Sequence, residues 1–117
     1  MTTQSEQSHV TQIINHILDN YRTDKITEIE ERIRMARDLG HAWCLLKCYY
    51  QDPDSGDNIA KLVQSTVIPI DGPGVEYNLF YTAIVPVMNH FQTRGYTVEL
   101  VNYIGQCDLN LRWYRLH

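Results

Sequence analysis

One histidine and two cysteines in the run LGHAWCLLKCYYQDPDSGDN raise the first chemical question. His41, Cys44 and Cys48 are spaced by three and four residues, so on a helix they would share one stripe. A helical i, i+4 cysteine pair brings its Cβ atoms about 5–6 Å apart, close enough to ligate one zinc ion. On a strand, four residues span roughly 13 Å, too far for one tetrahedral ion. A fourth ligand would have to come from Cys107 or His90, and no knuckle spacing joins them. The aromatics in the segment and the turn formers after it favour a strand. The cysteines therefore read as core residues, metal is disfavoured, and no cofactor is called for.

Other candidates weaken in the same way. DPDSGD offers Asp52, Asp54 and Asp57, but Gly56 falls at the fifth place of a calcium loop and Val63 at the twelfth, so a hairpin turn is the expected use. Cys107, in the turn-like stretch IGQCD, has no adjacent cation to activate it, and Asp108 opposes ionisation. His9 and His16 share a helix face two turns apart, too far to chelate together. In GPG (72–74) the proline removes a donor that a phosphate cradle would need. Walker, G-x-G-x-x-G, G-x-S-x-G and H-E-x-x-H signatures are all missing, which disfavours an enzyme.

The closing run LNLRWYRLH alternates. Leu109, Leu111, Trp113 and Arg115 fall on one face of a strand, with Asn110, Arg112, Tyr114 and Leu116 on the other. Arginines interleaved with aromatics can stack on unpaired bases and hold phosphates, so Arg112, Tyr114 and Arg115 form a candidate single-stranded nucleic-acid contact. The chain opposes it: 10 basic and 14 acidic residues leave a net charge of −4.

Several elements must position these residues. A chain of 117 residues, 44% apolar, suits one domain with a real core. Residues 1–8 are polar and expected to be flexible, leaving 9–117 as a single α+β domain. Val10, Ile13, Ile14, Ile17, Leu18 and Tyr21 predict a helix over 9–21 with Ser8 as its cap. A second is expected from Thr27, with Glu30 at capping-box spacing and Ile26, Ile29, Ile33 and Ala36 as its stripe. Glu28–Arg32 and Glu30–Arg34 mark its solvated face, and Gly40 ends it.

Residues 42–50 then read as a strand and 61–70 as its return, with Pro69 at an edge. Residues 59–63 could instead form a short helix capped by Asp57. After the DGPG loop (71–74), a helical period runs from Tyr77 to Phe91, and Pro86 either kinks that helix or starts another. Strands at 96–103 and 109–116 complete the order α-α-β-β-α-β-β. The expected architecture is two layers, with helices packed on a mainly antiparallel four-stranded sheet.

From Asn78 onward, NLFYTAIVPVMNHFQTRGYTVELVNY leading to LNLRWY resembles small accessory proteins of tailed bacteriophages in texture, over the last third of the chain. The resemblance implies a small viral protein of the host cytoplasm and transfers no functional residue. Three cysteines without a signal peptide give the same compartment. The leading expectation is a non-enzymatic protein that binds another protein, or itself as a homodimer. Trp43, Tyr49, Tyr50, Tyr103, Trp113 and Tyr114 would supply the contact. Single-stranded nucleic-acid binding is the alternative. A small zinc or thiol enzyme using His41, Cys44, Cys48 and Cys107 is a third, and no segment suggests a membrane partner.

Overall fold

A computed structural model describes residues 4–66, 75–103 and 106–113. The elements run α1 (Gln4–Asp38), β1 (Trp43–Cys48), α2 (Ile59–Thr66), α3 (Val75–Gln92), β2 (Thr97–Tyr103) and β3 (Gln106–Arg112). The class is α+β, as expected. Among the described residues the sheet has three antiparallel strands in the order β1-β3-β2, one fewer than the sequence suggests.

Two expected helices are one. No Gly or Pro lies between Tyr21 and Thr27, and α1 also runs N-terminally past Ser8 to Gln4. The buried stripe Leu18, Tyr21, Ile29, Ile33 and Ala36 keeps its phase through the middle if Lys25 is counted in it. Lys25 does sit there, its side chain only 12% exposed and paired with Asp57. Thr27, the expected cap, lies mid-helix and turns its hydroxyl onto the Thr23 carbonyl at 3.0 Å. The capping-box spacing of Thr27 and Glu30 suggested a helix start where α1 in fact runs on.

Both helix-to-strand corners are built alike. At the first, Gly40 N–H bonds to Arg37 O (2.9 Å) and His41 N–H to Ala36 O (2.9 Å), with Gly40 φ at 81°. At the second, Gly95 N–H bonds to Gln92 O (3.1 Å) and Tyr96 N–H to Phe91 O (3.2 Å), with Gly95 φ at 94°. Each is a Schellman ending that needs a left-handed residue. A Cβ at either glycine would meet nothing within 4 Å, so substitution costs conformational strain alone. Gly40→Ala and Gly95→Ala should each lose about 1 kcal/mol in urea unfolding, and the double variant the sum.

The 59–66 segment takes the helical alternative. Its cap is Asn58, whose Oδ1 accepts the Lys61 N–H at 3.0 Å, and not Asp57, which is used elsewhere. Residues 67–70, with Pro69, and the DGPG loop lie outside the described residues.

Pro86 falls inside α3 and starts no new helix. Its missing N–H orphans the Thr82 carbonyl one turn back. Arg22 of α1 fills that gap: Nη2 donates to Thr82 O at 3.0 Å and Nε to Ala83 O at 3.2 Å. Arg22→Ala should cost about 1–2 kcal/mol. In a Pro86→Ala background the restored amide serves Thr82, and the loss should shrink. An equal loss in both backgrounds would refute the coupling.

β3 is the central strand. Leu109 is flanked by Leu46 and Leu100, Leu111 by Cys44 and Val98, and Cys107 by Cys48 and Asn102. On that face Cys44, Leu46, Cys48, Cys107, Leu109 and Leu111 are buried, in one core with Ile29 and Ile33 of α1 and Phe80, Ile84, Val87 and Phe91 of α3. Gln106, Cys107 and Asp108 belong to β3 and not to a turn, because only residues 104–105 separate it from β2. Cys107 therefore stands in the ladder opposite Cys48, with its thiol in the core.

Candidate interaction surface

The sheet face turned away from that core is laid out in rows by the register. Trp43, Arg112 and Thr97 form one row, Leu45, Asn110 and Glu99 the next, and Lys47, Asp108 and Val101 the third. Gln106 and Tyr103 close it. Trp43 is 55% exposed and Tyr103 54%, at diagonal corners, and Tyr49 just beyond β1 is 42% exposed. Leu45 and Val101 are half-buried between them. The charges balance: Lys47 faces Asp108 across the ladder, and Arg112 and Glu99 offset each other. A cavity of about 360 Å³ opens beside Trp43 and Arg112. His41, exposed before the strand, rests its ring 5.9 Å from that of Trp43.

Three of the six aromatics expected to form a contact surface are therefore exposed. Tyr50 is not: it is 5% exposed, stacked on Phe80 (5.3 Å, 22°) and edge-on to Tyr77. Tyr50 lies in phase with Cys44, Leu46 and Cys48, so its ring turns to the core side. Trp113 is half-buried and packs against the core. Its N–H bonds to Ala42 O at 2.9 Å, its ring meets Tyr96 edge-on, and the Arg37 guanidinium lies 5.3 Å above it. Arg112 is exposed, while Tyr114 and Arg115 lie outside the described residues.

His41, Cys44 and Cys48 do not converge. β1 is a strand, Cys44 and Cys48 face the core from it, and His41 lies outside in the preceding bend. Burial pushes the Cys44 thiol up, with Arg32 opposing, and lifts Cys48 to about 12, with the Asp57 charge adding. Burial, and then Asp108, lifts Cys107 to about 11. Protonated thiols at neutral pH are poor nucleophiles.

The sign of the pH dependence follows. Unfolded thiols ionise near 9, whereas the folded ones stay protonated to 11 and 12. Their contribution to stability is complete below pH 9 and is lost as the pH rises through those values. Urea midpoints should fall between pH 9 and 12, and less steeply in Cys48→Ala; parallel curves for the two proteins would contradict this.

Sequence reasoning missed the polar group beneath the sheet. Asp57, 6% exposed, accepts the Tyr49 N–H at 3.1 Å through Oδ2 and pairs with Lys25 Nζ through Oδ1 at 2.5 Å. Glu28 lies 3.1 Å from the same Nζ. Burial lowers the Lys25 ammonium, but the Asp57 hydrogen bond and charge outweigh it, so the net shift is upward. The detectable signal was Lys25 itself, in phase with an apolar stripe.

A second cavity of about 360 Å³, lined by Arg34, Arg37, Arg94, Phe91 and Tyr96, holds three arginines, two of them matched by acids. Arg94 pairs with Glu30 at 3.3 Å, and Arg34 pairs with Glu31 and with Asp38, the latter at 3.6 Å. Arg37 bonds to the Tyr96 hydroxyl at 2.9 Å.

Among the described residues no helix is long and apolar enough to cross a membrane. Fold and surface together define an α+β protein whose described residues build a three-stranded antiparallel sheet with an aromatic-cornered outer face. No family model, curated protein or solved structure matches the chain.

Proposed function

We propose that this is a non-enzymatic interaction protein whose outer sheet face receives a protein partner. One observation carries the reading: Trp43 and Tyr103 stand more than half exposed on a charge-balanced face whose reverse side is core. Large aromatics that keep their area in water when free are the residues that contribute most when an interface covers them. In this reading the helices form one layer and the sheet the other. The protein works in the cytoplasm, where its three thiols stay reduced. The textural likeness to phage accessory proteins fits a small adaptor of this kind.

The protonated thiols support a non-catalytic role. The balance of Lys47 and Arg112 against Asp108 and Glu99 weighs against the nucleic-acid alternative, which needs a surplus of cations. Affinity capture from native cells should recover a partner with the wild type and lose it with Trp43→Ala/Tyr103→Ala, at unchanged stability. Identical recoveries with both proteins, or a strict monomer with no partner at all, would overturn the reading.

A further inference from the structure

The two edges of the sheet are not equivalent. On β1, Arg32 Nη1 donates to the Leu45 carbonyl at 3.4 Å, and just past the strand Asp57 accepts the Tyr49 N–H at 3.1 Å. The odd-numbered residues of β1 therefore point their backbone groups away from β3, where α1 takes the Leu45 carbonyl and the 52–58 loop takes the Tyr49 N–H just past the strand. Antiparallel ladders alternate, so Cys107, Leu109 and Leu111 of β3 bond to β1, and Gln106, Asp108, Asn110 and Arg112 bond to β2. On β2 this leaves Val98, Leu100 and Asn102 with their N–H and C=O groups turned outward.

Among the described residues β2 has no strand on that side. Its sequence, TVELVNY, contains neither the Lys nor the Pro that commonly blunts an edge. Val98 and Leu100 remain only half-buried, although they lie on the core side of the sheet.

We infer that a second copy of this chain pairs here, β2 against β2 antiparallel, making one continuous six-stranded sheet. The inference rests on the sheet-mediated reading above and names the occupant of one edge. The register follows from the residues. Outward groups must meet outward groups, so the two-fold axis passes through position 99, 100 or 101. An axis at 99 sets Glu99 against Glu99 of the second copy. An axis at 101 leaves Val98 unpaired.

An axis at Leu100 uses all seven residues. It pairs Val98 with Asn102 and Leu100 with Leu100 on the core side, and Glu99 with Val101 and Thr97 with Tyr103 on the outer side. No like charges meet, and the two half-buried apolar residues of the edge are covered. A two-fold axis makes the contact self-complementary, as a closed dimer requires.

The chosen register supplies its own test. Glu99 opposes Val101 of the second copy twice across the axis, so a charge at 101 acts on both sites. Sedimentation equilibrium of the full chain should give twice the chain mass for the wild type. Val101→Glu should weaken the dimer about tenfold and Val101→Lys tighten it by a similar factor. Both variants also face Asp108 within their own sheet, so each monomer's urea midpoint is measured alongside.

Amide exchange should slow with protein concentration at Val98, Leu100 and Asn102, and not at Glu99 or Val101. A monomer at every concentration, or a dimer indifferent to the charge at 101, would overturn the inference. Capture of a partner that depends on Trp43 and Tyr103 by such a protein would leave the outer-face reading intact. A wild-type protein that forms a normal dimer but captures no other partner, or captures it independently of Trp43 and Tyr103, would do the reverse.

Discussion

Lys25→Met should cost about 3–5 kcal/mol, because it leaves the buried Asp57 carboxylate without its countercharge. Lys25 and Asp57 side chains are 12% and 8% exposed, and Asp57 retains only the Tyr49 N–H once the ammonium is gone. Asp57→Asn should cost less, about 2 kcal/mol, since Glu28 stays within 3.1 Å of the ammonium and the amide oxygen can still accept from Tyr49. The double variant Lys25→Met/Asp57→Asn should be more stable than Lys25→Met alone, because two neutral groups replace one isolated charge. Urea unfolding of the four proteins measures the cycle. A loss below about 1 kcal/mol for Lys25→Met would show that water reaches and solvates the Asp57 carboxylate, and that the pair is not the centre of this region.

The second large effect contrasts two aromatics of opposite use. Phe80 is fully buried, stacked on Tyr50 and edge-on to Tyr21 at 6.5 Å, so it joins α3 to α1 and to the exit of β1. Phe80→Ala should lose about 3–5 kcal/mol through lost burial and the cavity left behind. Trp43 is larger, yet Trp43→Ala should change stability by less than about 0.5 kcal/mol, because more than half of it is already in water. If Trp43→Ala proved as damaging as Phe80→Ala, the outer face would be part of the folding core, and the proposed interface would have no free surface to offer.

What could be read in the chain depended on whether the determining interaction was local. Gly40 announces itself because a Schellman corner is set by a few neighbouring residues, and it lies where expected. The alternation of Cys44, Leu46 and Cys48 inward against Trp43 and Lys47 outward is likewise a property of one segment. Lys25 was different. Its place on the stripe is explained by Asp57, 32 positions later, while the capping-box spacing of Thr27 and Glu30 suggested a new helix beside it.

Pro86 was equally opaque, since the group that makes it tolerable in α3 belongs to Arg22 of α1. At residues 59–66, apolar residues in a short run fit a strand or a helix, and the Asn58 cap decided between them. Cys107 was misplaced because β3 begins three residues earlier than expected, at Gln106 and not Leu109. Of the proposed surface, Trp43, Tyr49 and Tyr103 were legible as exposed aromatics, while the same alternation sets Tyr50 with Cys44, Leu46 and Cys48 and Trp113 with Leu109 and Leu111, on the core side.

The strand order carries a consequence for synthesis. β3 lies between β1 and β2, yet it is the last of the three to leave the ribosome. Until it does, neither earlier strand has its partner, and the nascent chain holds two apolar segments, WCLLKC and TVELVNY, with nothing to pair with. The sheet can close only after translation has passed residue 112. A chain cut short before residue 106 would have helices and two orphaned strands, and is the form of this protein most exposed to aggregation.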